Sequence, residues 1–423
     1  MMASSLFLAF LTGHPALPGR SVGVAPISCV ATLRAVAIAA KIRPTIFDSA
    51  FAGFTLDSTI LVSRQRQPEF TTPIWDYLAV LVDSERVADG QQRLKAWDSV
   101  LAAVESTYGV DRHVVVAVWG VETDFGRLIG NRPLIRALAT GACIGTRQIF
   151  YRDQLIAALR ILQAGDYRPD QLIGSWAGAF GQTQFMPTTY LTRAVDQDGD
   201  GRRDIISSAP DALGSAANYL RKAGWIRGAR WGVEVRLPPK YRGPAGRATR
   251  RSVAAWSSLG IRQLDGHRLV GSDTTALFLP AGRKGPALLV GPNFEAIYSY
   301  NAAESYALAI AHLADRIAGK GPFAAPWPTD DRGISRAERR ELQTRLLARG
   351  YDVGVADGTL GSRTRGAIKA FQKAAGLPVD GRAGGRTLDR LRQPAEREDS
   401  AAGPGPDRLG ARWRLTGGPE NAR

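Results

Sequence analysis

The sequence predicts a mainly α fold (α+β) with a small strand-containing insertion, followed by a second, smaller helical unit. Three observations carry this. Apolar residues recur at helical spacing over most of 30–225, the pattern changes to short alternating and apolar runs between Trp231 and Val290, and 334–392 places an Asp-Gly turn before each of two helical stretches. With 423 residues and 44% hydrophobic content, the chain is long enough for two domains and apolar enough for a packed core.

At the N-terminus, Leu6-Phe7-Leu8-Ala9-Phe10-Leu11 resembles a signal h-region, although it lacks a positive n-region and a small-x-small cleavage site. Residues 1–28 are therefore set aside as a leader segment. Cys29 follows Pro26-Ile27-Ser28, a poor match to a lipoprotein cleavage site, so no lipid anchor is expected. The helical stretch from about Val30 to Ile42 contains Arg34 and is too short to span a bilayer. Cys29 and Cys143 are far apart in sequence and form no CxxC motif, and both are expected to be free. Further helices are expected at Gln91–Tyr108, Asp111–Thr123, Gln148–Ala164 and Asp211–Ala223, then at 302–318 before Gly319-Lys320-Gly321-Pro322. In the insertion, Val233-Glu234-Val235-Arg236-Leu237 alternates, and Ala276-Leu277-Phe278-Leu279 and Leu288-Leu289-Val290 read as strands. Pro326, Pro328 and Asp330-Asp331 mark 321–333 as a linker. Within 334–392, Asp357-Gly358-x-x-Gly361-x-x-Thr364 returns as Asp380-Gly381-x-x-Gly384-x-x-Thr387, which implies two turn-helix units. The Pro-, Gly- and charge-rich stretch 393–423 is expected to be a disordered tail.

A formal net charge of +16 allows a nucleic acid, an acidic membrane surface or a polyanionic wall as partner. The arginines are spread along the chain with no basic block and no nucleic-acid module, so no nucleic-acid partner is expected. The four histidines have no metal-ligand spacing and Gly174-Ser175 is not a GxSxG elbow, so zinc hydrolysis and a serine triad lack support.

Glu122 is the most informative residue. Val114, Val118 and Val121 fall at i, i+4 and i+7 of a helix and Glu122 at i+8, making it the one carboxylate on an apolar stripe. Burial there raises its pKa and keeps a proton available, as a general acid requires. The bland alternative is an ion pair with Arg127. Asp124, two positions on, points away from Glu122 and is not expected to share its site. Downstream, 174–187 is dense in glycine, which allows a ligand close to the backbone, while Ser175, Gln182 and Gln184 offer neutral hydrogen-bonding groups suited to a sugar. Asp196-x-Asp198-x-Asp200-Gly201 fits the start of an EF-hand loop, but Ser207 stands at the twelfth position where a glutamate is expected.

The Gly120–Gly126 segment, the 174–187 segment and the Asp-rich loop at 196–211, in that order, resemble the lytic murein transglycosylase B family, also classed as glycoside hydrolase family 103. Gln67-Pro68-Glu69-Phe70 and Asn293-Phe294 match near the ends of the resemblance, whereas Gly141–Gly145 departs from the family pattern. The resemblance implies a lysozyme-like catalytic domain over 29–320 that cleaves the β-1,4 bond between N-acetylmuramic acid and N-acetylglucosamine in peptidoglycan glycan strands. Glu122 would act as acid and then base, giving a 1,6-anhydro product without consuming water. Glycan contacts are implied for Tyr77, Arg147, Ser175, Gln184, Tyr300 and Tyr306. A structural calcium is implied at Asp196, Asp198, Asp200, the Arg202 carbonyl and Asp211, with no organic cofactor. Residues 334–392, with Leu342-Gln343, Gly350-Tyr351 and Ala370-Phe371-Gln372, resemble the three-helix peptidoglycan-binding domain, and their 13 Lys/Arg against 6 Asp/Glu leave +7 to attract acidic peptide stems. A monomer in the periplasm or cell envelope follows, with no transmembrane helix. The rival readings are a hydrolytic muramidase and a non-catalytic wall-binding protein.

Overall fold

The computed structural model describes residues 27–57, 59 and 68–394. The leader segment 1–28 and the tail 393–423 lie almost wholly outside the described residues, as does Gln67. Among the described residues are 17 helices, a two-stranded and a four-stranded sheet.

The helix Arg112–Thr123 runs through the middle of the main core. Its valine run is a poor intrinsic helix former, yet every residue from Val114 to Thr123 is buried, so packing overrides propensity. Asp111 caps its start, accepting from the His113 N–H at 2.7 Å. The helices Glu304–Ile317, Ser84–Ala96, Asp98–Tyr108 and Ala209–Lys222 surround it. It ends at Thr123, as expected, followed by three positive-φ residues, Asp124, Phe125 and Gly126.

Gln148–Ala164 forms as expected, and the helices around 30–42, 211–223 and 302–318 are shifted by a few residues. The stretch 91–108 is not one helix. It breaks at Trp97, whose dihedrals (φ −116°, ψ 24°) are not helical, between Ser84–Ala96 and Asp98–Tyr108.

Gly232–Val235, Ala287–Val290, Thr274–Phe278 and Arg250–Ser252 pair in that order, all antiparallel. Alternate residues point to opposite faces. Thus Ala276, Phe278, Leu288 and Val290 join the main core, while Val235, Leu277, Ala287 and Leu289 enclose a small second core with Trp256 and Ile261.

A third core contains Ile334, Leu342, Leu346, Ile368, Phe371, Leu388 and Leu391, drawn from the helices Arg336–Leu347, Ser362–Ala374 and Gly385–Arg392. The sequence echo has a structural basis. Gln343 Oε1 accepts from the Gly358 N–H at 2.6 Å, and Gln372 Oε1 accepts from the Gly381 N–H at 2.8 Å, so a glutamine on each preceding helix holds the next Asp-Gly turn.

One expectation is corrected. Cys29 and Cys143 are not free but form a disulfide between the first helix and Leu134–Ile144, their Cα atoms 5.9 Å apart. Sequence separation carries no information about that proximity, and the bonded Cys29 sulfur is not available to a lipid. The linker segment packs against the rest of the chain: Phe323 stacks on His312 at 4.0 Å, and the N–H groups of Ala324 and Ala325 donate to Glu234 at 2.7 and 2.9 Å. No helix among the described residues is long and apolar enough to cross a membrane.

Candidate active site

Glu122 sits at the C-terminal end of the central helix, 7% exposed, and accepts a hydrogen bond from the Tyr306 hydroxyl on Oε1. Its other oxygen, Oε2, is buried without a partner among the described residues. Burial pushes its pKa up, the Tyr306 hydrogen bond pulls it back, and the Glu69 charge raises it again, to about 8. The ion pair with Arg127 does not form. Arg127 instead pairs with Asp124 at 2.9 Å and with Asp89.

Tyr77, from the helix Ile74–Leu81, is 4% exposed, and its hydroxyl has no partner among the described residues. Burial, and then the charges of Glu69 and Glu122, push its pKa well above the usual phenol value. The Tyr300 hydroxyl donates to the Thr183 carbonyl at 2.9 Å, and its ring lies 6.3 Å from that of Tyr306. Tyr77, Tyr300 and Tyr306 therefore form the wall around Glu122, Tyr77 coming from a helix more than two hundred positions before the other two.

The glycine-rich segment is tied to the end of the Glu122 helix but uses its glycines differently from expectation. A Cβ on Gly174 would lie 2.3 Å from the Ala179 carbonyl oxygen, and one on Gly178 (φ +94°) would lie 2.3 Å from Leu138. These glycines admit protein backbone and side chains, not ligand. Ser175 Oγ accepts from the Ala179 N–H at 3.1 Å, and Gln184 (φ +50°) donates to the Gly181 and Ile129 carbonyls at 2.9 and 3.1 Å. Gln182 ties the segment to the central helix: its Oε1 accepts from Trp119 Nε1 at 2.9 Å and its carbonyl from Thr123 Oγ1 at 2.7 Å. Arg147 is exposed at the start of Gln148–Ala164, with its guanidinium 4.1 Å from the Phe150 ring centroid.

Sequence reasoning assigned Glu69 no role. It lies on the four-residue helix Pro68–Thr71, 5% exposed, with neither carboxylate oxygen partnered among the described residues. Burial raises its pKa to about 7. Ser305, the neighbour of Tyr306, donates to its backbone carbonyl, fixing it on the Tyr306 side. The only available signal was its place in the Gln-Pro-Glu-Phe stretch, because four residues have no readable periodicity.

The aspartate loop gathers oxygens as expected. Carboxylate atoms of Asp196, Asp198, Asp200 and Asp211 all lie within 4.8 Å of one another, and none of the four has an ion-pair partner among the described residues. Backbone N–H groups order the loop, with Gly199 and Gly201 donating to Asp196 at 2.7 and 2.8 Å, and Gln197 and Asp204 donating to the fully buried Asp211 at 2.7 Å each. The Arg202 N–H donates to Asp200 at 2.8 Å. Four carboxylates with no cation beside them form an all-oxygen donor set that suits a hard divalent ion. The loop joins the site through Gln182, whose Nε2 donates to the Ile206 carbonyl at 3.1 Å.

Residues 27–315 match the family model of the transglycosylase SLT domain, and 335–391 match that of a putative peptidoglycan binding domain. The crystal structure of SltB3 from Pseudomonas aeruginosa in complex with NAG-anhNAM-pentapeptide superposes with a TM-score of 0.70 at 46% identity, covering 86% of this chain and 99% of that one. The membrane-bound lytic murein transglycosylase B of Escherichia coli K12 is 31% identical over 270 residues, 62% of this chain and 73% of its own length. The E. coli lytic transglycosylase Slt35 in complex with calcium has a TM-score of 0.60 at 26% identity, covering 69% of this chain and 92% of that one.

Proposed function

We propose, from the premise that this chain belongs to the transglycosylase SLT domain family and is a lytic transglycosylase acting on peptidoglycan, that Glu122 alone performs the proton transfers of cleavage. The bond broken is the β-1,4 linkage from N-acetylmuramic acid to N-acetylglucosamine. Glu122, protonated below about pH 8, gives its proton to the leaving oxygen. As a carboxylate it then takes the proton of the muramoyl C6 hydroxyl, which attacks C1 and closes a 1,6-anhydro ring. No water enters, and holding the hydroxyl beside C1 gives it the effective molarity of an intramolecular nucleophile.

The observation that carries this reading is the buried carboxyl of Glu122, hydrogen-bonded by Tyr306 and walled by tyrosines. The complex of the P. aeruginosa relative with an anhydro-muramoyl ligand supports the product. Tyr77, Ser175, Gln184, Tyr300 and Arg147 are the proposed glycan contacts, aromatic faces and amides being suited to sugar rings and N-acetyl groups. Glu69 favours a second reading, hydrolysis with two carboxylates. It is weakened because no cation and no hydrogen-bond donor among the described residues meets the Glu69 carboxylate to hold it in the charged form a partner carboxylate needs.

A calcium ion held by Asp196, Asp198, Asp200 and Asp211, as supported by the calcium complex of Slt35, would neutralise the crowded carboxylates and stiffen the loop beneath Gln182. The Cys29–Cys143 disulfide fits an oxidising compartment such as the cell envelope. Digestion of purified murein followed by mass spectrometry tests the main reading. Products lighter by one water than the hydrolytic ones are expected, and reducing-end sugars as sole product would assign the chain to the muramidases.

A further inference from the structure

The C-terminal helical unit is bound to the catalytic body by arginines aimed at two particular places. Arg382 meets Asp76 in a two-pronged pair, Nε to Oδ2 at 2.8 Å and Nη2 to Oδ1 at 2.7 Å, and Asp76 is the residue before Tyr77. Arg336 reaches Asp83 through Nε at 2.8 Å and Nη2 at 3.2 Å, and its Nη1 meets Asp124 at 3.0 Å, two residues after Glu122. These carboxylates are shielded from solvent, their side chains being 10%, 1% and 14% exposed. Backbone contact is equally close. A Cβ on Gly333 would lie 2.8 Å from both the Trp75 carbonyl oxygen and the Ala79 Cβ, so only glycine lets the chain enter the unit along the Tyr77 helix.

The repeated turns show that this placement is specific. Aligning Asp357-Gly358 with Asp380-Gly381 puts Thr359 opposite Arg382, so two turns held by the same glutamine device differ in the one side chain that reaches the catalytic body.

We propose that the C-terminal unit is a positioning element of the catalytic site, with Arg336 and Arg382 fixing the segments that carry Glu122 and Tyr77. This rests on placing the reaction at Glu122. Planar guanidinium pairs of this kind set orientation as well as charge. Losing the arginines leaves Asp76 and Asp83 buried without an ion-pair partner among the described residues and takes one of three arginines from Asp124, so their segments move to reach water. The +7 of the unit is correspondingly less available to the wall than its composition suggests.

The test uses the full chain. Arg336→Ala/Arg382→Ala is compared with Arg392→Ala, which removes an arginine from a pair internal to the unit, 2.7 Å from Glu341. On a short soluble glycan the double variant is expected to lose about tenfold or more in kcat, with a smaller change in KM, and Arg392→Ala to stay at the wild-type rate. Reversing the pair, Asp76→Arg/Arg382→Asp, should recover part of the loss of Arg382→Ala. Counting cleaved bonds makes the comparison independent of whether the ends are anhydro or reducing. Amide hydrogen exchange examines the same variants without any reaction: faster exchange at 74–81 and 120–126, with 148–164 unchanged, is expected. Wild-type kcat and KM in the folded double variant would overturn the proposal. So would unchanged protection of those two segments, whatever chemistry Glu122 performs.

Discussion

Two groups of buried carboxylates in this molecule behave in opposite ways. Glu122 and Glu69 have no cation beside them, and burial lifts them to about 8 and about 7. Asp124 is also pushed up by burial, but the hydrogen bond from Arg127 and the charges of Arg86 and Arg336 outweigh it and hold it below the ordinary carboxylate range. Asp76 and Asp83 have arginine partners as well. Burial alone therefore does not mark an acid catalyst. The proposed proton donor is where the fold withholds a counter-charge, and the braced positions are where it supplies one.

Breaking the contrast at its centre has the largest expected effect. Glu122→Gln should lower turnover on the order of a thousandfold or more while keeping the fold. It should also stabilise the protein. A carboxyl raised from 4.5 to about 8 costs the fold nothing below pH 4.5, and the cost grows as pH rises toward 8. Thermal melts should therefore coincide in acid and separate in favour of the variant toward pH 8. A folded Glu122→Gln protein with undiminished cleavage would remove this residue from the mechanism.

Tyr306→Phe removes the hydrogen bond that pulls Glu122 down. Its basic limb in kcat should move to higher pH, with a loss of about tenfold at neutrality from the hindered return of the proton. An unshifted profile would show that the hydroxyl only packs. Glu69→Gln acts with the opposite sign, because it removes a like charge that raises Glu122. The alkaline limb of kcat/KM should fall at lower pH, with a few-fold loss near pH 8. If turnover collapses and external azide restores it, Glu69 is a reacting carboxylate and the two-carboxylate reading gains.

The smallest effect is expected at the aspartate loop, an uncompensated cluster that is largely exposed. Calcium should raise the melting temperature by a few degrees through binding the folded state alone, and Asp200→Ala should abolish that rise while leaving cleavage nearly intact. Equal melting curves with calcium and with chelator would reduce the loop to a turn.

The legible parts of the sequence were those whose signal is local. Glu122 stood out because a 3.6-residue period exposes a misplaced carboxylate, and the aspartate loop because alternate oxygens with a glycine are a compact pattern. Glu69 was not legible, since its surroundings are supplied by distant parts of the chain: the hydroxyl that fixes its backbone carbonyl is that of Ser305, 236 positions away. The arginines of 334–392 were read by count as wall-facing charge, whereas Arg336 and Arg382 are turned inward by carboxylates some 250 to 300 positions earlier. The glycines of 174–187 were read as making room for a sugar. In place, Gly174 and Gly178 make room for the protein itself.

The Cys29–Cys143 bond closes a covalent ring of chain, and the proposed active site is divided by it. Glu69, Tyr77 and Glu122 lie inside the ring, as do the aspartates that Arg336 and Arg382 hold, whereas Ser175, Gln184, Tyr300 and Tyr306 lie outside it. Topologically, one cut anywhere inside the ring opens it without releasing a fragment. A protein nicked once between Glu69 and Glu122 should migrate as one species until reduced, and only reduction should let the two acids part.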